Sequence, residues 1–179
     1  MDKTDKELVE EFIDGSEIAF NKIVRKYQQK IYWHANRMLG NHDDADELTQ
    51  EVLIVLYNKL VTFNFQSGLY TWIYKITSTR AINFIRKRNI KKFFSFESES
   101  DIPEKSSFDI AKSIEDREKL ELITKMLQKL PVRQREVFIL RNFEGLSYNE
   151  ISEITGKSVG GLKASYFHAL NKITELTNE

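Results

Sequence analysis

Across 179 residues there are only two prolines, Pro103 and Pro131, and apolar side chains return at intervals of three and four rather than two. Alternating strands cannot be built from that pattern, so the fold class is all-α. The expected architecture is two small helical domains joined by a flexible acidic linker, the second containing a helix-turn-helix. "SEIAFNKIVRKYQQKIYWHANRMLGN" opens on a good N-cap, Ser16, and stops at Gly40, a residue suited to the left-handed turn that ends helices. Within it Ile23, Tyr27, Ile31 and Ala35 share one face. "DDADELTQEVLIVLYNKL" places Asp43, Asp44, Asp46 and Glu47 at a helix N-terminus, where the macrodipole favours them, and follows with an inward stripe of Leu48, Val52, Val55 and Leu56. A third helix is expected from about Tyr70 to Lys91.

Composition changes at Phe93. "FFSFESESDIPEKSSFD" is rich in Ser and Glu and lacks a helical period, so residues 93–116 read as the linker between a domain at 1–92 and one at 117–179. Helices resume near Glu115 and run up to Pro131, then on to Gly145.

Formal net charge is zero, yet the charges are segregated. Residues 61–92 hold seven cations and no anion, while residues 1–60 carry −4 and residues 93–118 carry −5. A solvated helix face normally interleaves Glu, and seven cations without one repel each other unless something anionic binds. On a helix from Tyr70, Trp72, Ile73, Ile76, Ala81 and Phe84 can supply core. Lys75, Thr79, Asn83, Arg86 and Lys87 project the other way, with Arg88 beside them. A preceding loop with Phe63, Phe65 and Tyr70 suits stacking on unpaired bases. Nucleic acid is the favoured partner; a merely solvated basic face is the alternative.

Near the C-terminus Ser147 and Glu150 fit a capping box, Gly156 fits a tight turn, and Ser158 fits the N-cap of a longer helix. Val159, Leu162, Tyr166, Ala169 and Ile173 share one face of that helix; Lys163, Ala164, Phe167, His168 and Asn171 share the other. This is helix-turn-helix spacing, in which the second helix enters a major groove. The pattern alone also fits a helical hairpin with a polar surface. Gly160-Gly161 weakens the helix start by about 1 kcal/mol per Gly relative to Ala, but admits a close approach of backbone N–H groups to phosphate.

Four stretches, "DDADELTQEVLIVLY", "YTWIYKITSTRAINFIRKR", "LPVRQREVFILRNFEGLSYNEISEITG" and "SVGGLKASYFHALNKI", appear in an order that resembles the sigma subunits of bacterial RNA polymerase, of the two-domain extracytoplasmic-function type. The resemblance implies a promoter-specificity subunit that binds core RNA polymerase and directs initiation at −10 and −35 promoter elements. It carries Asp46, Glu47, Thr49, Gln50 and Leu53 over as the polymerase interface. It carries Phe63, Phe65, Tyr70, Lys75, Thr79, Asn83, Arg86, Lys87 and Arg88 over as the −10 surface. Ser158, Gly160, Lys163, Ala164, Phe167 and His168 become the −35 surface. Thr79 stands where many relatives have Asn, and the recognition helix lacks the Arg that usually reads guanine, which leaves the preferred −35 sequence open. An anti-sigma partner is implied in the same way.

Promoter elements about 17 base pairs apart lie roughly 58 Å apart along the axis, at about 3.4 Å per pair. An extended 23-residue tether reaches about 76–83 Å, so it spans the gap only when held stretched. Because the charges are segregated, with acids gathered outside the basic block, weak DNA binding is expected of the free chain.

No Cys is present, the N-terminal "MDKTDKELVEEF" is acidic and has no apolar signal core, and no run nears the roughly 18 apolar residues that cross a bilayer. A soluble cytoplasmic protein without membrane insertion is expected. "TGKS" lacks the leading Gly of a phosphate-binding loop, because Ile151 occupies that place, and "HDDADE" lacks the central Gly of a calcium loop. No nucleophile–base set or metal cluster stands out, so neither catalysis nor a cofactor is expected. With no heptad seam the free chain should be monomeric. The other readings are a free-standing helix-turn-helix transcription regulator and, from another class, a helical protein-binding adaptor.

Overall fold

A computed structural model describes residues 3–94 and 114–178, which form eight α-helices and one short 3-10 turn. Their bounds are α1 Asp5–Ile13, α2 Glu17–Leu39, α3 His42–Lys59, α4 Leu69–Phe94, α5 Ile114–Gln128, α6 Val132–Asn142, α7 Tyr148–Thr155 and α8 Val159–Thr177. No strand occurs among the described residues. The 3-10 turn, Leu60–Thr62, extends α3.

Local capping sets most of these bounds. Ser16 Oγ accepts from Ala19 N to start α2, and Gly40 ends it in the left-handed conformation at φ 75°. Ser147 and Glu150 form the expected capping box on α7, Gly156 closes it at φ 69°, and Ser158 opens α8. One helix went unread in the sequence: α1 carries its own capping box, Thr4 with Glu7. Its mixed charges hid the stripe of Leu8, Val9 and Phe12 that it buries.

Helix α4 runs a turn beyond the Lys91 expected, to Phe94, and α5 begins at Ile114, beside the Glu115 where helices were expected to resume. Most of the proposed tether, residues 95–113, lies outside the described residues.

The main core gathers Ile23, Ile31, Ala35, Met38, Leu48, Val52, Leu56, Ile73 and Ala81 from α2, α3 and α4, all essentially inaccessible. Burying each large aliphatic side chain stabilises the fold by about 1.5–3 kcal/mol. This core does not stop at the N-terminal half. Leu127, Leu130, Phe138, Ile139 and Ala169 from α5, α6 and α8 belong to it. A second core of Val137, Leu140, Leu146, Ile151, Ile154 and Leu162 takes in Tyr74 from α4. The two helical units expected to be separated by a tether therefore pack on each other, with α7 against α4 and α5 and α6 against α2.

Glu136 of α6 is 2% exposed, and among the described residues its ion pair is with a largely exposed Arg133 at 3.1 Å. Burial pushes its carboxyl above the usual range, and Arg133 only partly opposes this. A carboxyl with a raised folded pKa favours the native state at low pH, an advantage lost as pH rises through that pKa. Glu136→Gln keeps the shape and removes the buried charge. It is expected to raise the melting temperature at pH 7, with the gain vanishing toward pH 4; thermal unfolding followed by circular dichroism at both pH values checks this.

Candidate nucleic-acid interface

Helices α3 and α4 enclose an open groove with Trp72, Ile76 and Phe84 half-buried along its floor. As the sequence suggested, these three pack against the core, but only half-buried. The deeper positions of α4 are taken by Leu69, Ile73, Thr77, Ser78, Ala81 and Ile85, and the outer sides of the three larger side chains line the groove. Lys75, Thr79, Arg86 and Lys87 are exposed at its edge, with Asn83 half-buried beside them. Arg86 donates to Asn83 Oδ1 at 3.2 Å, which fixes the two side chains relative to one another. Among the described residues no carboxylate pairs with Lys75, Arg86 or Lys87.

The acids missing from the basic stretch sit partly across this groove. Arg80 pairs with Glu51 of α3 at 3.0 Å, and Arg88 pairs with Asp44 at 3.0 Å. Arg88 also points a second nitrogen at the Leu39 carbonyl, 3.5 Å away. It is half-buried and engaged inside the protein, unlike the lysines at the rim.

The loop before α4 divides its aromatics. Phe63 is 7% exposed, its ring 5.2 Å from Trp72, so it forms the base of the loop and offers no free face. Phe65 is 40% exposed and sits at φ 59°, a left-handed conformation that a bulky residue rarely adopts. Its ring lies edge-on to Phe63, 4.9 Å between centroids. Tyr70 is half-buried, and its hydroxyl donates to Glu150 of α7. In this arrangement Phe65 alone of the three presents a platform to solvent.

On α3, Glu47 and Gln50 are exposed one turn apart, Asp46, Thr49 and Leu53 are half-buried, and the Thr49 hydroxyl donates to the Ala45 carbonyl at 2.7 Å. Leu53 leans on the core. Ile54, four residues after Gln50, continues the exposed row at 62% exposure. The sequence reading omitted it, although an aliphatic residue at that spacing after Glu47 and Gln50 was the available signal.

The second half ends in the expected helix pair. Ser158 Oγ accepts from Gly161 N at 3.2 Å, Leu162 and Ala169 are buried, and Lys163, Ala164, Phe167 and His168 face solvent. A Cβ added at Gly160 would meet nothing within 4 Å, so no packing demand keeps glycine there. The Lys163 ammonium lies 5.8 Å from the centre of the Tyr148 ring, and Arg141 of α6 lies 5.1 Å from the same ring. Arg141 also went unnoticed in the sequence, because only the tertiary packing brings α6 beside the start of α8.

Residues 23–90 match the family model for sigma-70 region 2, and residues 120–173 match that for sigma-70 region 4. The chain is 31% identical to the RNA polymerase sigma-H factor of Pseudomonas aeruginosa, across 94% of this chain and 91% of that one. It is also 31% identical to the ECF RNA polymerase sigma-E factor of Escherichia coli, covering 95% and 92%. This chain is an extracytoplasmic-function sigma factor. Its fold is that of CnrH solved with the cytosolic domain of CnrY, at a TM-score of 0.74 and 20% identity over 97% of both chains. It is also similar to the sigma factor RpoE solved with the anti-sigma factor NepR from Bartonella quintana, with a TM-score of 0.70 and 26% identity over 89% of this chain and 96% of that one.

Within this sigma factor the two surfaces make distinct predictions. Phe65→Ala is expected to leave the melting temperature within about 1 °C of the parent while weakening capture of single-stranded DNA at least tenfold in the polymerase complex. Phe63→Ala empties a core site and is expected to cost about 3–5 kcal/mol of stability. Urea unfolding and fluorescence anisotropy with a labelled oligonucleotide separate the two. Gly160→Ala is expected to stabilise α8 by up to about 1 kcal/mol and yet to weaken binding of a −35 duplex, because the added methyl blocks backbone approach to phosphate. Thermal unfolding together with a gel-shift titration of the polymerase complex tests this pair of opposite signs.

Proposed function

We propose that the exposed row of α3, Glu47, Gln50 and Ile54 with Asp46, Thr49 and Leu53 behind it, docks on core RNA polymerase. The groove between α3 and α4 then takes the −10 element: Lys75, Arg86 and Lys87 meet phosphates, Thr79 and Asn83 meet bases, and Phe65 stacks on an unpaired base. Phe63 and Arg88 support this surface from within, and Tyr70 joins it once released from Glu150. On α8, Ser158 and Gly160 offer backbone N–H groups to phosphate, while Lys163, Ala164, Phe167 and His168 face the −35 element. The division into residues 1–92 and 117–179 corresponds to these two tasks.

The observation that carries the reading is the cation-rimmed groove on α4 beside an exposed aromatic held at positive φ, in a chain of this family. Strain of that kind gathers at functional sites, where it presents a side chain in advance of its ligand. The protein acts by positioning polymerase and opening promoter DNA, with the chemistry of RNA synthesis left to the polymerase, and it works in the cytoplasm. The solved relative held by an anti-sigma factor suggests a protein of that class as a further partner.

Run-off transcription with core bacterial RNA polymerase, this protein and a fragmented genomic library is the test. Discrete new transcripts are expected, reduced at least tenfold by Gln50→Ala, and their start sites identify both elements. Well-folded protein that neither binds polymerase nor yields transcripts would favour a free-standing DNA-binding regulator instead.

A further inference from the structure

The last turns of α4 carry an apolar stripe that the described residues leave uncovered. Ile90, Phe93 and Phe94 follow at intervals of three and four, so they share one face, and they are 52%, 77% and 78% exposed. Ile82 and Ile85 extend the stripe toward the core, and Val132 of α6 flanks it. These six side chains shape an open groove of about 440 Å3, distinct from the groove between α3 and α4. Single small ligands occupy sites of about 300–1,000 Å3. Contiguous exposed apolar surface of this kind marks binding grooves.

The polar lining of the groove has one sign. It consists of the Arg86 and Arg133 guanidiniums and the Asn89 amide, with no carboxylate among the described residues that line it. Arg86 donates through one nitrogen to Asn83 Oδ1 at 3.2 Å. Arg133 pairs through one nitrogen with Glu136 at 3.1 Å, its side chain 59% exposed. A guanidinium has five N–H donors, so each keeps others for a ligand. Helix α6 also starts here. It opens on Pro131, which has no polar side chain to cap it. The first N–H groups of a helix lack intrahelical partners, and that end of the dipole favours an anion.

An apolar trough that ends in guanidiniums and an uncapped helix start fits a hydrocarbon body with an anionic head. A second copy of the chain fits poorly, because a two-fold contact sets each patch against its own equivalent, and with it Arg86, Lys87, Lys92 and Arg133 against like charges. A ligand with a cationic head is repelled for the same reason.

We propose that this groove is a binding site for a free fatty-acid carboxylate, its head held by Arg133, Arg86 and the first turn of α6, its chain laid along Ile85, Ile90, Phe93 and Phe94. Arg86 also lines the groove between α3 and α4. Acid and promoter DNA therefore compete for one guanidinium, which makes the acid a negative regulator of −10 binding. That consequence rests on the reading of the −10 surface; binding of the acid does not.

Isothermal titration of the full chain with dodecanoate, kept below its micelle concentration, is the test. One site with a dissociation constant below about 100 µM is expected, with dodecyltrimethylammonium, which has the same tail and a cationic head, at least tenfold weaker. Ile90→Asp puts a carboxylate in the trough at an exposed position and is expected to weaken dodecanoate at least tenfold with helicity by circular dichroism unchanged. Arg133→Gln is expected to weaken it at least fivefold; should the loss of the Glu136 partner unfold that variant, Ile90→Asp still decides. Saturating dodecanoate is expected to weaken capture of a labelled −10 oligonucleotide by the polymerase complex at least threefold. Binding without that competition would leave the site standing and count against the reading of Arg86 as a −10 contact. Absence of binding, equal binding of the cationic amphiphile, or binding to phosphatidylglycerol vesicles without binding to monomeric dodecanoate would each overturn the proposal. So would a parent chain whose dimerisation is abolished by Ile90→Asp, since the groove would then belong to a second copy.

Discussion

The C-terminal end of α2 is the point on which the structure depends. The helix stops because Gly40 turns into the left-handed region, and its N–H returns to the Asn36 carbonyl at 2.8 Å. That leaves the Arg37, Met38 and Leu39 carbonyls pointing out of the helix with a concentrated negative dipole behind them. Three side chains converge there: Gln128, Arg135 and Arg88. Arg135 is 5% exposed, and burial, together with the like charge of Arg88, brings its guanidinium down to about 10. Two arginines tolerate this proximity because both face the same array of carbonyl oxygens.

From this end the rest of the molecule is organised. Helices α1, α3, α4, α5 and α6 all pack against α2, so its stop position sets where α3 begins and how α4 crosses it. The crossing of α3 and α4 creates the groove, and the same crossing lets Glu51 and Asp44 neutralise Arg80 and Arg88 while leaving Lys75, Arg86 and Lys87 at the rim. The basic block is thus divided: Arg80 and Arg88 are paired within the protein, while Lys75, Arg86 and Lys87 stay exposed at the edge of the groove.

Glu144 shows how the same interior couples the halves. Burial raises its carboxyl, but the neighbouring imidazole, the Tyr74 hydroxyl and the Arg37 guanidinium outweigh burial and hold it below the usual carboxylate range. It is therefore ionised at neutral pH and contributes to the packing of the two halves until acid protonates it. Tyr74 makes the coupling reciprocal, since it is rooted in α4 but packs in the core of the C-terminal helices.

The sequence by itself determined every helix but α1, many of the caps, and the family. Ser16, Gly40, the Ser147–Glu150 box, Gly156 and Ser158 act within three or four residues of themselves, so their roles are set by local spacing alone. The polar face of α8 was legible for the same reason: its burial pattern follows directly from a 3.6-residue period. Helix α1 escaped notice because its capping box precedes a short, heavily charged segment whose apolar stripe is only three residues. What the tertiary structure decided is which of several equivalent residues face outward. Phe63 and Phe65 are indistinguishable by type and spacing, yet one is sealed beneath Trp72 and the other held out by a positive φ. Arg88 looks like its neighbours Arg86 and Lys87 until α2 presents the Leu39 carbonyl and α3 presents Asp44 to it. Glu144 meets its partners across 70 to 110 residues of chain. Contacts of that range depend on how complete helices pack, and no local pattern encodes them.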